Sequence, residues 1–273
     1  MDDILFTRIH IFDVEHGACN VIHTPNNKII MIDCGHNSST GWRPSSWIVQ
    51  NQLTITNLTI ANIDEDHVSD LPNIAKMCKP QTLKTNWNLT ADWVEKKKKE
   101  NGGIGSGVAT LIDYMKNVFT GESITIDYDI ERVRFCLGPS QFDDFNNLSM
   151  VNFYFYGGIG IVFPGDLQKE GWGKLLQNSS FQECLKKTHI LIASHHGRID
   201  GYCKEVFDYC SPHIVIISDK AIEHETQLHD EYSDHASGIW FGDTIRKVLT
   251  TRKDGKITID IKPDAKYTIY INS

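Results

Sequence analysis

Four short apolar runs in this 273-residue chain are each followed closely by acidic residues or histidines. Runs of this length that are rich in isoleucine and valine are typical of buried β-strands. The runs and the polar residues that follow them are Ile29–Ile32 with Asp33, Leu58–Ala61 with residues 62–67, Ile159–Phe163 with Asp166, and Ile190–Ala193 with His195 and His196. If these strand ends meet at one edge of a sheet, several carboxylates and imidazoles converge there.

Carboxylates that converge in this way repel one another, and their charge requires compensation. One or two bound divalent cations are the simplest compensation. A mixture of carboxylate and imidazole ligands suits Zn²⁺ or Mn²⁺, and Mg²⁺ is a further candidate. Each segment also has an ordinary explanation when taken alone, because Asp66 could cap a helix and Pro164–Asp166 could form a turn. The regular order of the four segments favours a metal-dependent hydrolase.

The composition excludes some classes of protein. The net charge of -8 gives no overall attraction to nucleic acid or acidic lipid, although it does not exclude a nucleic-acid substrate. The lysine run Lys96–Lys99 lies between Glu95 and Glu100, and such runs are usually a solvated helix face. The seven cysteines are scattered and form no Cys-x-x-Cys pair, which predicts reduced thiols in a cytoplasmic protein. No signal peptide or membrane span is expected, so we predict no membrane partner.

The order of predicted elements is strand-rich, then helical, then strand-rich, and finally alternating between helices and strands. This order fits an α/β (α+β) protein with two mixed sheets packed together and helices outside. No linker or shift in composition divides the chain, which predicts a single domain over residues 1–273. The predicted elements include helices at Val68–Cys78 and near Ser237–Leu249, and a strand at Ser123–Tyr128.

Several motifs occur in an order that resembles the metallo-β-lactamase superfamily, and more closely the soluble nuclease-type domain of the competence protein ComEC. The resemblance covers most of the chain. The segments that carry it are Phe12–Ile22, Ile30–Gly35, Asn62–His67, Asn147–Ser149, Tyr156–Asp166, Ala193–Gly197 and Pro212–Ser218. The resemblance implies an αββα four-layer sandwich with a metal site at its edge and hydrolysis of phosphodiesters.

The resemblance also assigns roles to individual residues. The metal ligands that it implies are Asp64, Asp66, His67, Asp166 and His195, and the catalytic residues are Asp66, Asp64 and His196. Asp64 would face a second metal position, with Asp166 as a bridge between the two. His196 would be either a ligand or a supporting donor.

A second group of residues would support the ligands or contact the substrate. Its members are Asp33, Asn62, His16, Asn147, Ser149, His229 and His235. Asp33 is expected to orient ligands. Asn62 stands where the family has a histidine, which predicts a weak or empty metal position. His16 would either contact substrate or lie on the surface, and the two histidines late in the chain are alternatives for one role.

The function that follows is a metal-dependent phosphodiester hydrolase, with DNA or another nucleic acid as its substrate. It would act with a partner protein, in a bacterial defence system. An alternative keeps the metal but changes the substrate to a small phosphoester, a cyclic nucleotide, a lactone or a thioester. A second alternative is a degenerate module that binds a partner protein. Asn62 favours that module, and retention of the acidic and histidine ligands opposes it.

Overall fold

The structure is a computed structural model that describes residues 5–121, 124–220, 222 and 224–271. The strands in the described part of the chain are β1 Thr7–Ile11, β2 Asn20–His23, β3 Ile29–Ile32, β4 Ile55–Thr59, β5 Leu83–Lys84, β6 Glu131–Phe135, β7 Val151–Tyr156, β8 Ile159–Phe163, β9 Ile190–Ile192, β10 Ile214–Ile217, β11 Ile239–Phe241, β12 Thr244–Arg246, β13 Val248–Thr250, β14 Ile257–Ile261 and β15 Tyr267–Ile271.

The helices are short and connect these strands. The α-helices are α1 Pro44–Gln50, α2 Glu65–Val68, α3 Leu71–Asn73, α4 Ala91–Glu100, α5 Ser106–Asp113, α6 Lys169–Leu175, α7 Ser179–Lys186, α8 His229–His235 and α9 Thr251–Asp254. Two π-helical turns, Ile74–Cys78 and Tyr114–Val118, extend α3 and α5, and two 3₁₀ turns cover Ser194–Gly197 and Lys204–Asp208. Among the described helices, none has both the length and the apolar character that crossing a membrane requires.

The strands form two large sheets. One sheet has seven strands in the order β15-β14-β1-β2-β3-β4-β5, and the other has six in the order β13-β10-β9-β8-β7-β6. Strand β3 runs parallel to β4, and β8, β9 and β10 are also mutually parallel. The carboxyl ends of parallel neighbours lie at the same edge of a sheet, and this places the loops that follow these strands close to one another.

Alternation along the buried strands explains how the two sheets pack. In β3, Ile30 and Ile32 belong to one apolar cluster together with Ile214 and Ile216 of β10, which is in the other sheet. The intervening residues of both strands belong to a second cluster that includes the helices. Because side chains alternate between the faces of a strand, one face of each sheet packs on the other sheet and the opposite face packs on helices.

Aromatic contacts show the helical layers directly. Trp47 of α1 contacts Phe12 beside the seven-stranded sheet, with ring centroids 4.9 Å apart. Phe181 of α7 contacts Phe153 of β7 in the six-stranded sheet, at a centroid distance of 5.5 Å. The four layers are therefore helices, sheet, sheet and helices, and the predicted αββα sandwich is confirmed.

Three predicted elements differ from the structure. The helix predicted over Val68–Cys78 is split into α2, α3 and a π-helical turn, because Pro72 cannot continue a helix hydrogen-bond ladder from the preceding turn. The helix predicted near Ser237–Leu249 is wrong, since this segment forms β11, β12 and the start of β13. Gly242 has φ of 56° at the turn between β11 and β12, where glycine is favoured. In the predicted strand Ser123–Tyr128, Ser123 lies outside the described residues and residues 124–128 form no strand.

Candidate metal centre

The loops after four strands position the residues of the site. Asp33 follows β3, and Asp66 and His67 lie in α2, which follows β4. Asp166 follows β8 in the second sheet, and His196 follows β9. The site therefore lies at the edge where the carboxyl ends of these parallel strands meet.

Four of these side chains converge closely enough to hold one metal ion. Asp66, His67, Asp166 and His196 each offer a ligand atom, and these atoms all lie within 4.8 Å of one another. His67 Nε2 lies 3.1 Å from one oxygen of Asp166, and His196 Nε2 lies 3.6 Å from the other oxygen. His196 Nε2 is also 3.7 Å from Asp66 Oδ2. The set of two carboxylates and two imidazoles suits a divalent transition-metal ion.

The second nitrogen of each imidazole is held by a hydrogen-bond acceptor. His67 Nδ1 lies 2.9 Å from Asp33 Oδ2, and His196 Nδ1 lies 3.1 Å from the carbonyl oxygen of Ser218. Because a carboxylate or a carbonyl can only accept, Nδ1 carries the proton in both rings. The lone pair of a neutral ring is then on Nε2, which faces the two carboxylates.

Both Nε2 atoms are buried and make no hydrogen bond. For His67 the distance to Asp166 is short, but the direction of the ring nitrogen does not give a hydrogen bond. Both nitrogens instead face carboxylate oxygens without hydrogen bonds, and converging ring nitrogens and carboxylates are the usual arrangement around a cation. The residues therefore fit a divalent metal ion.

The charges at this edge shift the pKa values of the buried groups. Burial by itself lowers the pKa of His67, but the negative charges of Asp166 and Asp33 outweigh burial and raise it well above its usual range. Burial opposes ionisation of Asp166, yet His67 and His196 hold the pKa of that carboxyl well below normal. Burial raises the pKa of Asp33. Without a cation, His67 and Asp166 therefore form a buried ion pair.

Metal uptake should release a proton from His67. The raised pKa means that the metal-free ring is protonated at neutral pH, whereas ligation requires the Nε2 lone pair. Affinity for Mn²⁺ or Zn²⁺ should therefore rise with pH, by about tenfold per pH unit for each proton displaced. Calorimetric titrations at pH 6, 7 and 8 measure the metal affinity. Repeating each titration in a second buffer of different ionisation enthalpy gives the number of protons released. Uptake at pH 7 without proton release would contradict the assignment.

The histidine loop adopts an unusual backbone conformation. His195 and His196 have φ values of 48° and 57°, in the left-handed region that residues other than glycine seldom occupy. The loop is held by Ser194, whose hydroxyl donates to the carbonyl oxygen of Leu167 at 2.5 Å, and by the His195 amide, which donates to Gly165 at 3.2 Å. Such strain persists where surrounding contacts fix it, and it occurs often at functional sites.

Two predicted ligands lie outside the group of four. Asp64 Oδ1 is 2.5 Å from Lys98 Nζ, so this carboxylate is engaged in an ion pair. His195 Nε2 lies 4.0 Å from Asp166, and its Nδ1 lies 2.9 Å from Asp200. The structure therefore brings His196, rather than His195, into the group.

Both polar atoms of the Asn62 side chain are engaged in hydrogen bonds. Its amide nitrogen donates to Asn146 Oδ1 at 3.1 Å and to Ser149 Oγ at 3.3 Å. Its amide oxygen accepts from the backbone nitrogen of Asp64 at 2.7 Å. Ser149 Oγ also accepts from the Asp166 amide at 3.1 Å, so Ser149 links Asn62 to a residue of the site.

His16 lies at the edge of the site. Its ring centroid is 4.5 Å from that of His196, and its Nε2 contacts the guanidinium of Arg198. Burial, together with the positive charges of His196, Arg198 and Lys220, lowers the pKa of His16 to about 3. The neutral ring can therefore accept a hydrogen bond from Arg198.

The remaining predicted residues lie apart from the group. Asn147 Oδ1 accepts from the Gly171 amide at 2.9 Å and so supports the start of α6. His235 stacks on Phe207 with a centroid distance of 3.9 Å, and His229 lies 3.2 Å from its neighbour Asp230. Within the described residues, neither histidine belongs to the candidate metal-binding group.

Sequence reasoning missed three residues that shape the site. Gly17 and Gly35 pack against the backbone of Asp66, where a Cβ would lie 2.4 Å and 2.3 Å from its carbonyl oxygen. Ser218 follows β10 and orients His196 through its backbone, which no side-chain motif reveals. The glycines do stand beside the acidic segments, and glycine at such positions is a signal of close backbone approach.

No protein-family model matches this sequence, and no curated relative matches it either. Solved structures with similarity to the chain include a diphosphatase from the PhnP family, at 9% identity over 92% of this chain and 96% of the other, with a TM-score of 0.44. Another is Igni18, a metallo hydrolase from the hyperthermophilic archaeon Ignicoccus hospitalis, at 11% identity over 97% and 100% of the two chains, with a TM-score of 0.45. The strand order of the two sheets, with helices packed on their outer faces, by itself defines the four-layer fold.

Proposed function

We propose that this chain is a metal-dependent hydrolase of phosphodiesters, with DNA or another nucleic acid as its substrate. The observation that carries the proposal is the convergence of Asp66, His67, Asp166 and His196 with both imidazole Nε2 atoms buried and free of hydrogen bonds. A divalent ion held there would polarise a phosphoryl oxygen and lower the pKa of water.

An open groove of about 480 Å³ adjoins these residues and includes Asp66 and His16 in its walls. Two acidic residues of the groove are already engaged, since Glu15 accepts hydrogen bonds from Ser38 and Glu65 accepts from the Gly107 and Val108 amides. The exposed ammonium of Lys220 also lines the groove. Because the groove carries three carboxylates and one lysine, an anionic substrate such as a phosphoester would depend on Lys220 and on the bound cation for favourable charge contacts.

Asp66 is the member of the group that reaches the groove. Its side chain is 32% exposed, whereas those of His67, Asp166 and His196 are 6% exposed or less. The three buried side chains are suited to fixed ligand positions. Asp66 is placed to accept a proton from the attacking water while its second oxygen contributes to the metal site.

A small phosphoester is the second candidate substrate. The net charge of -8 disfavours long polyanions, because it opposes the counterion-driven affinity of nucleic acid for protein. The groove itself suits either substrate. A partner protein in a bacterial defence system and a cytoplasmic location stay predictions.

A substrate panel tests the proposed function. Labelled single-stranded and duplex DNA, RNA and a generic phosphodiester are incubated with the full chain in Mn²⁺, Zn²⁺ or Mg²⁺ at low salt. We expect metal-dependent cleavage of nucleic acid that is lost in Asp66→Asn with the fold intact by circular dichroism. Cleavage of the generic ester alone would favour the small substrate. An absence of both turnover and metal binding would favour the module that only binds a partner.

Lys220→Met should weaken substrate binding more than it slows the chemical step. The ammonium lines the groove but is not one of the four converging groups, so we expect KM to rise by about tenfold, the value of one charge-assisted contact, with kcat little changed. Lys174→Met is the matched control, because this exposed lysine of α6 does not line the groove. Equal KM values for the two variants would show that Lys220 does not contact the substrate.

A further inference from the structure

We propose that this centre holds one divalent cation rather than two, because the ammonium of Lys98 neutralises Asp64 and excludes a second cation from that side. The inference rests on the proposed metal site and decides its stoichiometry. It depends on three residues outside the group of four: Asn62, Asp64 and Lys98.

Lys98 is a buried cation with a dedicated partner. It belongs to α4, its side chain is 10% exposed, and its Nζ lies 2.5 Å from Asp64 Oδ1. The same Nζ lies 4.0 Å from the centroid of the Phe145 ring, a cation–π distance. A buried ammonium is stable only when it is paired, so the carboxylate of Asp64 is committed to Lys98.

Asn62 is unsuitable as a ligand for a second cation. It is 1% exposed, and its amide nitrogen donates to Asn146 and Ser149. Its oxygen, the only ligand atom of the amide, accepts from the backbone nitrogen of Asp64. A neutral oxygen that is engaged in this way offers a cation little compensation for the loss of its water shell.

The positive charge of Lys98 adds a repulsive element. A second divalent ion on Asp64, whose side chain is 37% exposed, would have to displace the buried ammonium or lie beside it, where the two like charges repel. Asp66, His67, Asp166 and His196 already provide enough donors to hold one ion, which can still bind water or substrate as a fifth ligand. The described residues around Asp64 thus give a second cation an occupied carboxylate and an adjacent like charge.

Metal counting on the full chain tests this inference. The protein is stripped with a chelator, loaded with Mn²⁺ and separated from free metal, and the bound metal is measured by mass spectrometry. We expect one ion per chain in the wild type and in Lys97→Met, the matched control, whose lysine pairs with exposed Asp143 at 3.0 Å. The double variant Asn62→His with Lys98→Met should bind two ions, because the new histidine supplies an imidazole and the loss of the lysine frees the carboxylate of Asp64.

Electron paramagnetic resonance of the Mn²⁺-loaded wild type gives a readout that needs no variant. A signal of isolated ions is expected, and a spin-coupled pair or two ions per chain would overturn the inference while leaving the proposed function intact. If the wild type binds no ion, both the single-ion inference and the proposed function are wrong. A folded double variant that still binds one ion would show that Lys98 is not what excludes the second.

Discussion

Asp166→Asn should abolish tight binding of divalent metal and, with it, hydrolytic activity. Asp166 is the central residue of the group, because one of its oxygens faces His67 and the other faces His196. Asparagine removes the charge and one of the two oxygens. Even residues that only support metal ligands are worth about 10- to 100-fold in affinity, so the loss of a ligand that faces both imidazoles should exceed 100-fold.

Calorimetric titration with Mn²⁺ and Zn²⁺ measures this loss directly, and kcat/KM at saturating metal measures its consequence. Asp200→Asn is the matched control, since Asp200 is partly exposed and lies 2.9 Å from His195, outside the group of four. We expect the control to keep its affinity within a few-fold. If Asp166→Asn binds metal like the wild type while its fold is intact, the cation is held elsewhere.

The general position of the site is predictable from sequence because it depends on a local pattern. An apolar run followed by acidic or histidine residues places these residues at the end of a strand, and parallel strands bring such ends to one edge. This reasoning correctly grouped the loops after β3, β4, β8 and β9. It could not establish which atoms converge, because that depends on contacts between loops that are distant in sequence.

His195 and His196 illustrate this limit. They are neighbours in the chain, and only the left-handed backbone at both residues determines which ring faces Asp166. That conformation depends on hydrogen bonds to Gly165 and Leu167 in the loop after β8. No property of the local sequence distinguishes the two rings.

Lys98 was predictable in principle. The composition of Lys96–Lys99 predicts a solvated helix face, but Lys98 follows Val94 by four residues and shares its buried side of α4. The four-residue spacing from Val94 predicts that Lys98 is buried, whereas the lysine-rich composition of the segment predicts that it is exposed. Its carboxylate partner, Asp64, lies 34 residues earlier and is fixed only by the tertiary fold.

Asp33→Asn should reduce metal affinity by about 10- to 100-fold although Asp33 is not one of the four converging groups. Asp33 is 1% exposed; one oxygen accepts from the Ala61 amide at 2.6 Å, and the other lies 2.9 Å from His67 Nδ1. An asparagine that keeps the bond to Ala61 presents its NH₂ group to His67. The imidazole must then accept at Nδ1 and carry its proton on Nε2, where it blocks ligation.

Asp70→Asn provides the control for the loss of a buried carboxylate. Asp70 is fully buried and accepts from the Ser45 amide at 2.9 Å and from Arg43 at 3.0 Å, and it does not belong to the candidate metal group. Both variants should unfold at lower denaturant concentration, but only Asp33→Asn should lose metal affinity. Nitrogen NMR of the metal-free protein at a pH where the ring is neutral should show the proton of His67 moving from Nδ1 to Nε2. If affinity and tautomer are both unchanged in Asp33→Asn, the orientation of His67 is set by other contacts.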